Sequence, residues 1–357
     1  MKSPSPVRRS RTLLALLPLG LGLAACGEDT GRVAGGDQPA GDGDQLTVVT
    51  SFYPVEFLAS RLAGEHAGIS TLTSPGVDPH SVELTPRQVA ALGDADLVLY
   101  SAGMQPAVDR AVESEAGDRA IDLAAHADLL LIGETPDEHQ GHSHDEQDEG
   151  DPGHDEQDAA HESGPGHDEQ DHDEDDAHDG HEHGPEDPHF WLDPERYGQV
   201  AEVVAAELST VDPDHADSYE ANLELLLTDL EALDQEFTDG LAQCRSRDLV
   251  TTHEAFGYLA HRYDLHLTGI TGIAPESEPS PARLAEVTAQ VRELDVRTIF
   301  GEPLLRDDIA RTIAHETGTQ VLTLDPIEGV TDSSAGTSYP EIMGANLEAL
   351  RQGLECS

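Results

Sequence analysis

The chain of 357 residues carries a formal net charge of −53, and Lys2 is its only lysine. This charge excludes nucleic acid as a partner, because phosphate binding needs clustered lysine and arginine side chains. The length suffices for two globular lobes, since one domain takes roughly 100–200 residues. The acidic surface attracts cations.

The first 25 residues predict a lipoprotein signal peptide. Three arginines precede the apolar stretch "TLLALLPLGLGLAAC", which is too short to span a bilayer as a helix. The stretch ends in a bacterial lipobox, so we expect lipidation of Cys26 and anchoring on the outer side of the cytoplasmic membrane. An ordinary secretory peptide is the alternative. Residues 26–44, rich in Gly and Asp, predict a flexible tether.

Residues 45–211 alternate between strand and helix patterns. Short apolar runs predict buried strands at "LTVVTS", "ISTLTSPG" and "DLVLYSA". Helices are predicted between them at "PVEFLASRLAG" and "TPRQVAALGDA", the second with Thr85 as its N-cap and Pro86 in its first turn. This alternation is typical of an α/β lobe with a largely parallel sheet.

Residues 135–188 interrupt this lobe with low hydropathy and high negative charge. They contain neither lysine nor arginine, and they repeat the pentapeptide HDEQD at His144, His154 and His167. This composition cannot bury enough apolar surface to fold, so we expect disorder without a ligand. The segment is either a metal-capturing loop or a solvated linker.

A long helix is predicted between two lobes, at residues 212–243. Its apolar residues recur at helical spacing over about 27 residues, which would span roughly 40 Å. They are Leu223, Leu226, Leu227, Leu230, Leu233 and Phe237. Residues 244–357 then repeat the strand and helix alternation. The sequence therefore predicts an α/β fold with two lobes of mainly parallel sheets, joined by one long rigid helix.

Two cysteines follow Cys26, at Cys244 and Cys356. An exported protein meets oxidising conditions, so we expect them to pair, although two separate buried thiols are the alternative. A bridge closing a loop of this length would stabilise the fold by roughly 4–5 kcal/mol at most.

Candidate metal ligands lie where strands end. His80, His253 and Asp325 each follow a predicted strand, and ligands of open α/β sheets bind beyond the carboxyl ends of strands. His189, in "DPHFWLDP", directly precedes a helix at the edge of the first lobe. Two candidates come from each half, which predicts a metal site in the cleft between the lobes. Three imidazoles and one carboxylate suit Zn(II) in tetrahedral coordination, whereas manganese favours more oxygen ligands.

These motifs resemble a known family, the zinc-specific, ZnuA-like solute-binding lipoproteins of ABC metal transporters (cluster A-I, TroA-like). The resemblance covers about residues 45–357 without the acidic loop. It rests on "DPHSVELTP", "DPHFWLDP", "THEAFGYLAHRYDL", "PESEPSPARLAEV" and "VLTLDPIEG". It implies an extracytoplasmic receptor that captures Zn(II) and delivers it to an ABC permease for import.

The resemblance also implies the site residues. His80, His189 and His253 match the imidazole ligands, and Asp325 matches the carboxylate position, where some zinc members use water or another acid. In manganese relatives the third histidine position is acidic, and here it is His253. No segment predicts an oligomer, so we expect a monomer.

Three alternatives stay open at this point. One is a manganese or other divalent-metal receptor of the same family, and another is an extracellular metal-buffering or adhesion lipoprotein. The third is a zinc hydrolase, but the sequence lacks HExxH or a comparable catalytic motif, and we expect no enzyme.

The acidic loop gives a first prediction. Zinc members of the family often carry such an insertion before the second ligand motif, and we expect this one to capture zinc weakly and raise its concentration near the cleft. Deleting residues 138–186 should therefore slow zinc uptake at scarce zinc but not at ample zinc. Uptake of radioactive zinc at both concentrations checks this, and equal rates for both proteins at scarce zinc would leave the loop a linker.

Overall fold

The computed structural model describes residues 45–131, 186–275, 278–305 and 308–357, which fall in one compact unit, Asp44–Ser357. The predicted signal peptide, the tether with Cys26, and nearly all of the acidic loop lie outside the described residues. Among the helices of the described ranges, none is long and apolar enough to cross a membrane.

The first half builds a four-stranded parallel sheet in the order β2-β1-β3-β4. Its strands are β1 (Leu46–Thr50), β2 (Ala67–Thr71), β3 (Leu97–Tyr100) and β4 (Ala120–Asp122). Its helices are α1 (Tyr53–Ala63), α2 (Pro86–Asp94) and α3 (Pro106–Glu115). The sequence patterns predicted neither α3 nor β4. The predicted cap of α2 is confirmed, because Thr85 and Gln88 form a reciprocal capping box.

Two helices follow the acidic loop and connect the halves: α4 (Pro194–Val211) and α5 (Ala216–Leu241). The 26 residues of α5 make it roughly 39 Å long at 1.5 Å per residue, close to the predicted helix. Its buried face carries Leu226, Leu230, Leu233 and Phe237, one turn apart. This helix packs against α1 and α4 of the first half and against the last helix of the second half.

The second half repeats the parallel topology of the first, in the order β6-β5-β7-β8. Its strands are β5 (Asp248–Thr251), β6 (His266–Gly269), β7 (Thr298–Gly301) and β8 (Gln320–Thr323). Its helices are α6 (Gly257–Arg262), α7 (Pro281–Glu293), α8 (Asp308–Thr317) and α9 (Tyr339–Gly353). The predicted class, two parallel-sheet lobes joined by a long helix, is confirmed.

One apolar core runs through both halves. It contains Phe52 and Trp191 from the first half, Phe237 from the linking helix, and Phe300 and Tyr339 from the second. Smaller clusters lie on the outer face of each sheet, under α2 and α3 and under α7 and α8. Because the halves share a core, separating them would expose apolar surface.

The predicted disulfide is confirmed. Cys244 and Cys356 are bonded, and their backbones also form an isolated antiparallel bridge. The bond joins the residues just after α5 to the C-terminus, across a sequence separation of 112 residues. It therefore ties the linking helix to the end of α9.

Two glycines in α9 give a prediction about packing. A Cβ at Gly353 would lie 2.4 Å from Cζ of the buried Phe300, whereas a Cβ at Gly344 would meet nothing within 4 Å. Gly353→Ala should lower the free energy of unfolding by about 1–3 kcal/mol through overpacking. Gly344→Ala, the matched control, should raise it by about 0.5–1 kcal/mol through helix propensity.

Chemical denaturation of both variants checks the contrast. Equal effects of the two substitutions would contradict the close contact between α9 and β7.

Candidate metal centre

Four side chains converge at the interface of the two halves: His80, His189, His253 and Glu328. One potential ligand atom from each lies within 4.8 Å of the others. Oε1 of Glu328 is 3.2 Å from Nε2 of His80, 3.1 Å from Nε2 of His189 and 3.4 Å from Nε2 of His253. A single carboxylate oxygen thus faces three imidazole nitrogens, an arrangement that suits a small divalent cation.

The topology explains why these residues meet. His253 lies two residues beyond β5, and Glu328 lies in the segment that follows β8, both at the carboxyl edge of the second sheet. His80 sits in a short 3-10 turn, Pro79–Ser81, between β2 and α2, where Asp78 Oδ1 accepts a hydrogen bond from the His80 N–H at 2.9 Å. His189 precedes the 3-10 turn Phe190–Leu192 that leads into α4. Each half therefore contributes two of the four side chains.

The centre is almost closed to solvent. His189 and His253 are fully buried, and Glu328 is 3% exposed. The side chain of His80 is 8% exposed, the largest value of the four. Solvent therefore reaches the centre mainly beside His80.

Two of the imidazoles are held from behind by carboxylates. His189 Nδ1 lies 2.7 Å from Asp187 Oδ1, which also accepts the His189 backbone N–H. His253 Nδ1 lies 2.6 Å from Glu302 Oε2. Glu302 is itself fixed, since its other oxygen accepts the hydroxyl of Thr252 and the backbone N–H of His253. These partners orient Nε2 of each ring toward the centre, as outer carboxylates do for metal-binding histidines.

The carboxylates also set the protonation of the centre. Burial alone would lower the pKa of His253, but Glu302 and Glu328 raise it to about 10. Burial likewise opposes protonation of His189, yet Asp187 and Glu328 raise its pKa above the ordinary value. Burial favours a neutral Glu328, but its three histidine partners hold its pKa well below the usual range. The carboxylates therefore favour the protonated forms of His189 and His253 and the ionised form of Glu328.

The structure departs from the sequence prediction at one residue. Asp325 is not among the four converging side chains, and Glu328 occupies the carboxylate place. Asp325 is buried beside the centre, where its Oδ1 accepts the backbone N–H of Ile327 at 2.8 Å. Glu328 is part of the motif "VLTLDPIEG", but the motif alone does not identify it as a ligand. Only the turn after Asp325, seen in the structure, shows that the chain brings the Glu328 carboxylate toward the three histidines.

Trp191 packs beside the centre, with its ring 5.3 Å from that of His189, and it is fully buried. Six further histidines of the described residues do not join the converging group. They are His66, His126, His215, His261, His266 and His315.

The chain matches one protein family over nearly its whole described length. The family is ZnuA, the periplasmic component A of the zinc-uptake complex, and the match covers residues 48–353.

Individual relatives agree with this match. Zinc-binding lipoprotein AdcA of Streptococcus pneumoniae serotype 4 is 32% identical over 323 residues, 90% of this chain. This chain spans only 58% of the length of that relative. High-affinity zinc uptake system protein ZnuA of Bacillus subtilis is 30% identical over 335 residues, 93% of each chain.

A solved structure shows the same fold. It is the laminin-binding protein Lmb of Streptococcus agalactiae, described as bifunctional with adhesin and metal transporting activity. The two structures superpose with a TM-score of 0.68 at 31% identity, covering 87% of this chain and 99% of Lmb.

The Glu302–His253 pair predicts a pH effect in the metal-free protein. A histidine whose folded pKa is raised stabilises the fold below its unfolded pKa of about 6.5, and this contribution is lost as the pH rises through about 10. Glu302→Gln keeps an acceptor for Thr252 but removes the charge. The pKa of His253 should therefore fall, so the loss of stability above about pH 6.5 should be smaller and should be complete at a lower pH.

NMR titration of the His253 ring and the pH dependence of the unfolding free energy check this. Glu293→Gln, an exposed change in α7, is the control. An unaltered His253 titration in Glu302→Gln would contradict the role given to this pair.

Proposed function

Since the chain belongs to the ZnuA family of zinc-uptake proteins, we propose that it is a receptor that captures Zn(II) outside the cytoplasm and delivers it to an ABC permease. The observation that carries this proposal is the buried group of three imidazoles and one carboxylate between the two halves. The names of its relatives, zinc-binding lipoprotein and high-affinity zinc uptake protein, support the choice of zinc.

The proposed ligands are His80, His189, His253 and Glu328, with Glu328 in place of Asp325. Zinc favours four-coordinate sites with imidazole nitrogen and carboxylate oxygen, which is the donor set present here. Manganese favours sites richer in oxygen, and a histidine at residue 253 reduces the oxygen count. The same geometry therefore favours zinc over a manganese receptor.

A receptor fits the site better than an enzyme does. Catalytic zinc keeps one coordination position open for water or substrate, whereas this chain offers four protein ligands in a nearly closed centre. Such a site binds and releases its ion without turnover.

The proposal also covers the location of the protein and the permease with which it works. The lipobox at Cys26 supports a lipid anchor on the outer side of the cytoplasmic membrane, and the description of AdcA as a lipoprotein agrees with it. A monomer anchored there would pass its zinc to the permease in the same membrane.

A second candidate function follows from the likeness to Lmb, which is described as an adhesin as well as a metal transporter. Growth at limiting zinc separates the two roles. A receptor should restore growth of a strain lacking this protein only when the cognate permease is present, whereas adhesion or metal buffering would not depend on the permease.

Calorimetry tests the proposed site directly. The soluble protein that starts at Gly27 and lacks residues 138–186 should bind one tight equivalent of Zn(II), and manganese should not displace it. His253→Ala and Glu328→Gln should each weaken binding by about a hundredfold or more, because each removes a ligand from the closed set. Binding should also release protons, since imidazoles must be neutral to ligate.

His66→Ala, a change at a histidine outside the centre, is the matched control and should leave the affinity unchanged. The absence of a tight equivalent in the loop-deleted protein would mean that the histidine run is the binding element, and that the four ligands are wrongly assigned.

A further inference from the structure

We propose that Asp325 and Asn346 are positioning residues: together they fix the turn that holds Glu328 against the three histidines. This inference rests on the proposed zinc-receptor function. It gives Asp325 a role as a hydrogen-bond acceptor and assigns Asn346, on α9, to the metal site, although both of these Asn346 hydrogen bonds go to Asp325 rather than to a ligand.

The segment between β8 and Glu328 needs external support. Its residue Ile327 has a φ of +60°, a left-handed conformation that a β-branched side chain rarely adopts. Ile327 is also fully buried in the shared core, so the side chain cannot move out to relieve the strain. A backbone conformation of this kind persists only where its surroundings over-determine it.

Asp325 supplies the first support. Its Oδ1 accepts the backbone N–H of Ile327 at 2.8 Å, which closes a tight turn around Pro326. The interaction needs an acceptor oxygen rather than a negative charge. Asp325 thus acts on Glu328 through the backbone between them.

Asn346 supplies the second support. Its side chain is 2% exposed and binds Asp325 on both backbone groups. Oδ1 accepts the Asp325 N–H at 2.8 Å, and Nδ2 donates to the Asp325 carbonyl at 2.7 Å. A buried amide is costly unless its hydrogen bonds are made, and here both go to the residue that begins the turn.

Trp191 connects this turn to the other half of the site. Its Nε1 donates to the Pro326 carbonyl at 2.8 Å, and its ring lies beside His189, two residues earlier in the chain. The hydroxyl of Tyr339 in turn donates to the Trp191 carbonyl at 2.7 Å. The turn before Glu328 is therefore fixed against the same segment that presents His189.

The experiment uses the soluble full chain that starts at Gly27, with zinc affinity measured by chelator competition and zinc release by stopped flow. Asp325→Asn keeps an acceptor for Ile327 and should bind zinc within about threefold of the wild type. Asp325→Ala removes the acceptor and should bind about ten- to a hundredfold more weakly, as loss of an outer-shell partner does, mainly through faster release.

Asn346→Leu should weaken zinc binding to the same degree as Asp325→Ala. Its matched control is Asn222→Leu, because Asn222 lies on α5 and donates to the backbone carbonyl of Leu62 far from the site. Both leucine variants should lose stability, but only Asn346→Leu should lose zinc affinity.

The measurements on these variants distinguish a failure of the positioning role from a failure of the proposed function. If Asp325→Asn loses as much affinity as Asp325→Ala, the charge of Asp325 matters and the positioning role is wrong. If the two leucine variants weaken zinc binding equally, Asn346 acts only through general stability, which also contradicts the inference. A wild-type protein without a tight zinc site would instead contradict the proposed function, and the positioning role with it.

Discussion

The contact on which this structure depends is that of one buried oxygen, Oε1 of Glu328, with the imidazoles of His80, His189 and His253. A carboxylate taken out of water is strongly destabilising unless charged or hydrogen-bonding partners surround it. Two of these partners come from the first half of the chain and one comes from the second, together with Glu328 itself. The need to compensate the buried charge of Glu328 therefore helps to fix the two halves relative to each other.

The carboxylates around the centre explain how it suits a divalent cation. Asp187, Glu302 and Glu328 lie against the imidazole rings, so the group needs positive charge whether or not a metal is bound. The raised pKa values of His189 and His253 mean that protons on these two rings can supply that charge. A divalent ion supplies it instead when it displaces those protons. Binding of such an ion would thus exchange one set of positive charges for another.

Much of this could be read from the sequence, and the exceptions have physical causes. Strand and helix periodicity predicted the two parallel-sheet lobes and the long helix, because buried faces impose a period on the sequence. The helix α3 and the short strand β4 were missed, since β4 has only three half-buried residues and no strong apolar run. Topology and the family resemblance predicted that His80, His189 and His253 lie together, and these three side chains converge in the structure. Glu328 was missed as a candidate ligand. Its carboxylate reaches the histidines through the left-handed conformation of Ile327, and no local sequence pattern predicts that a β-branched residue will take this conformation.

The shared core constrains how such a site can open. Phe52, Trp191 and Tyr339 belong to one apolar cluster that crosses between the halves, and α5 packs against helices of both. Wide separation of the lobes would expose this cluster to water and break the hydrogen bonds from Trp191 to Pro326 and from Tyr339 to Trp191. His80, by contrast, is the least buried of the four side chains and sits on a three-residue turn outside the sheets. The turn that carries His80 contributes no residue to this cluster, so its local movement leaves the shared core of the described residues covered, whereas separation of the lobes would not.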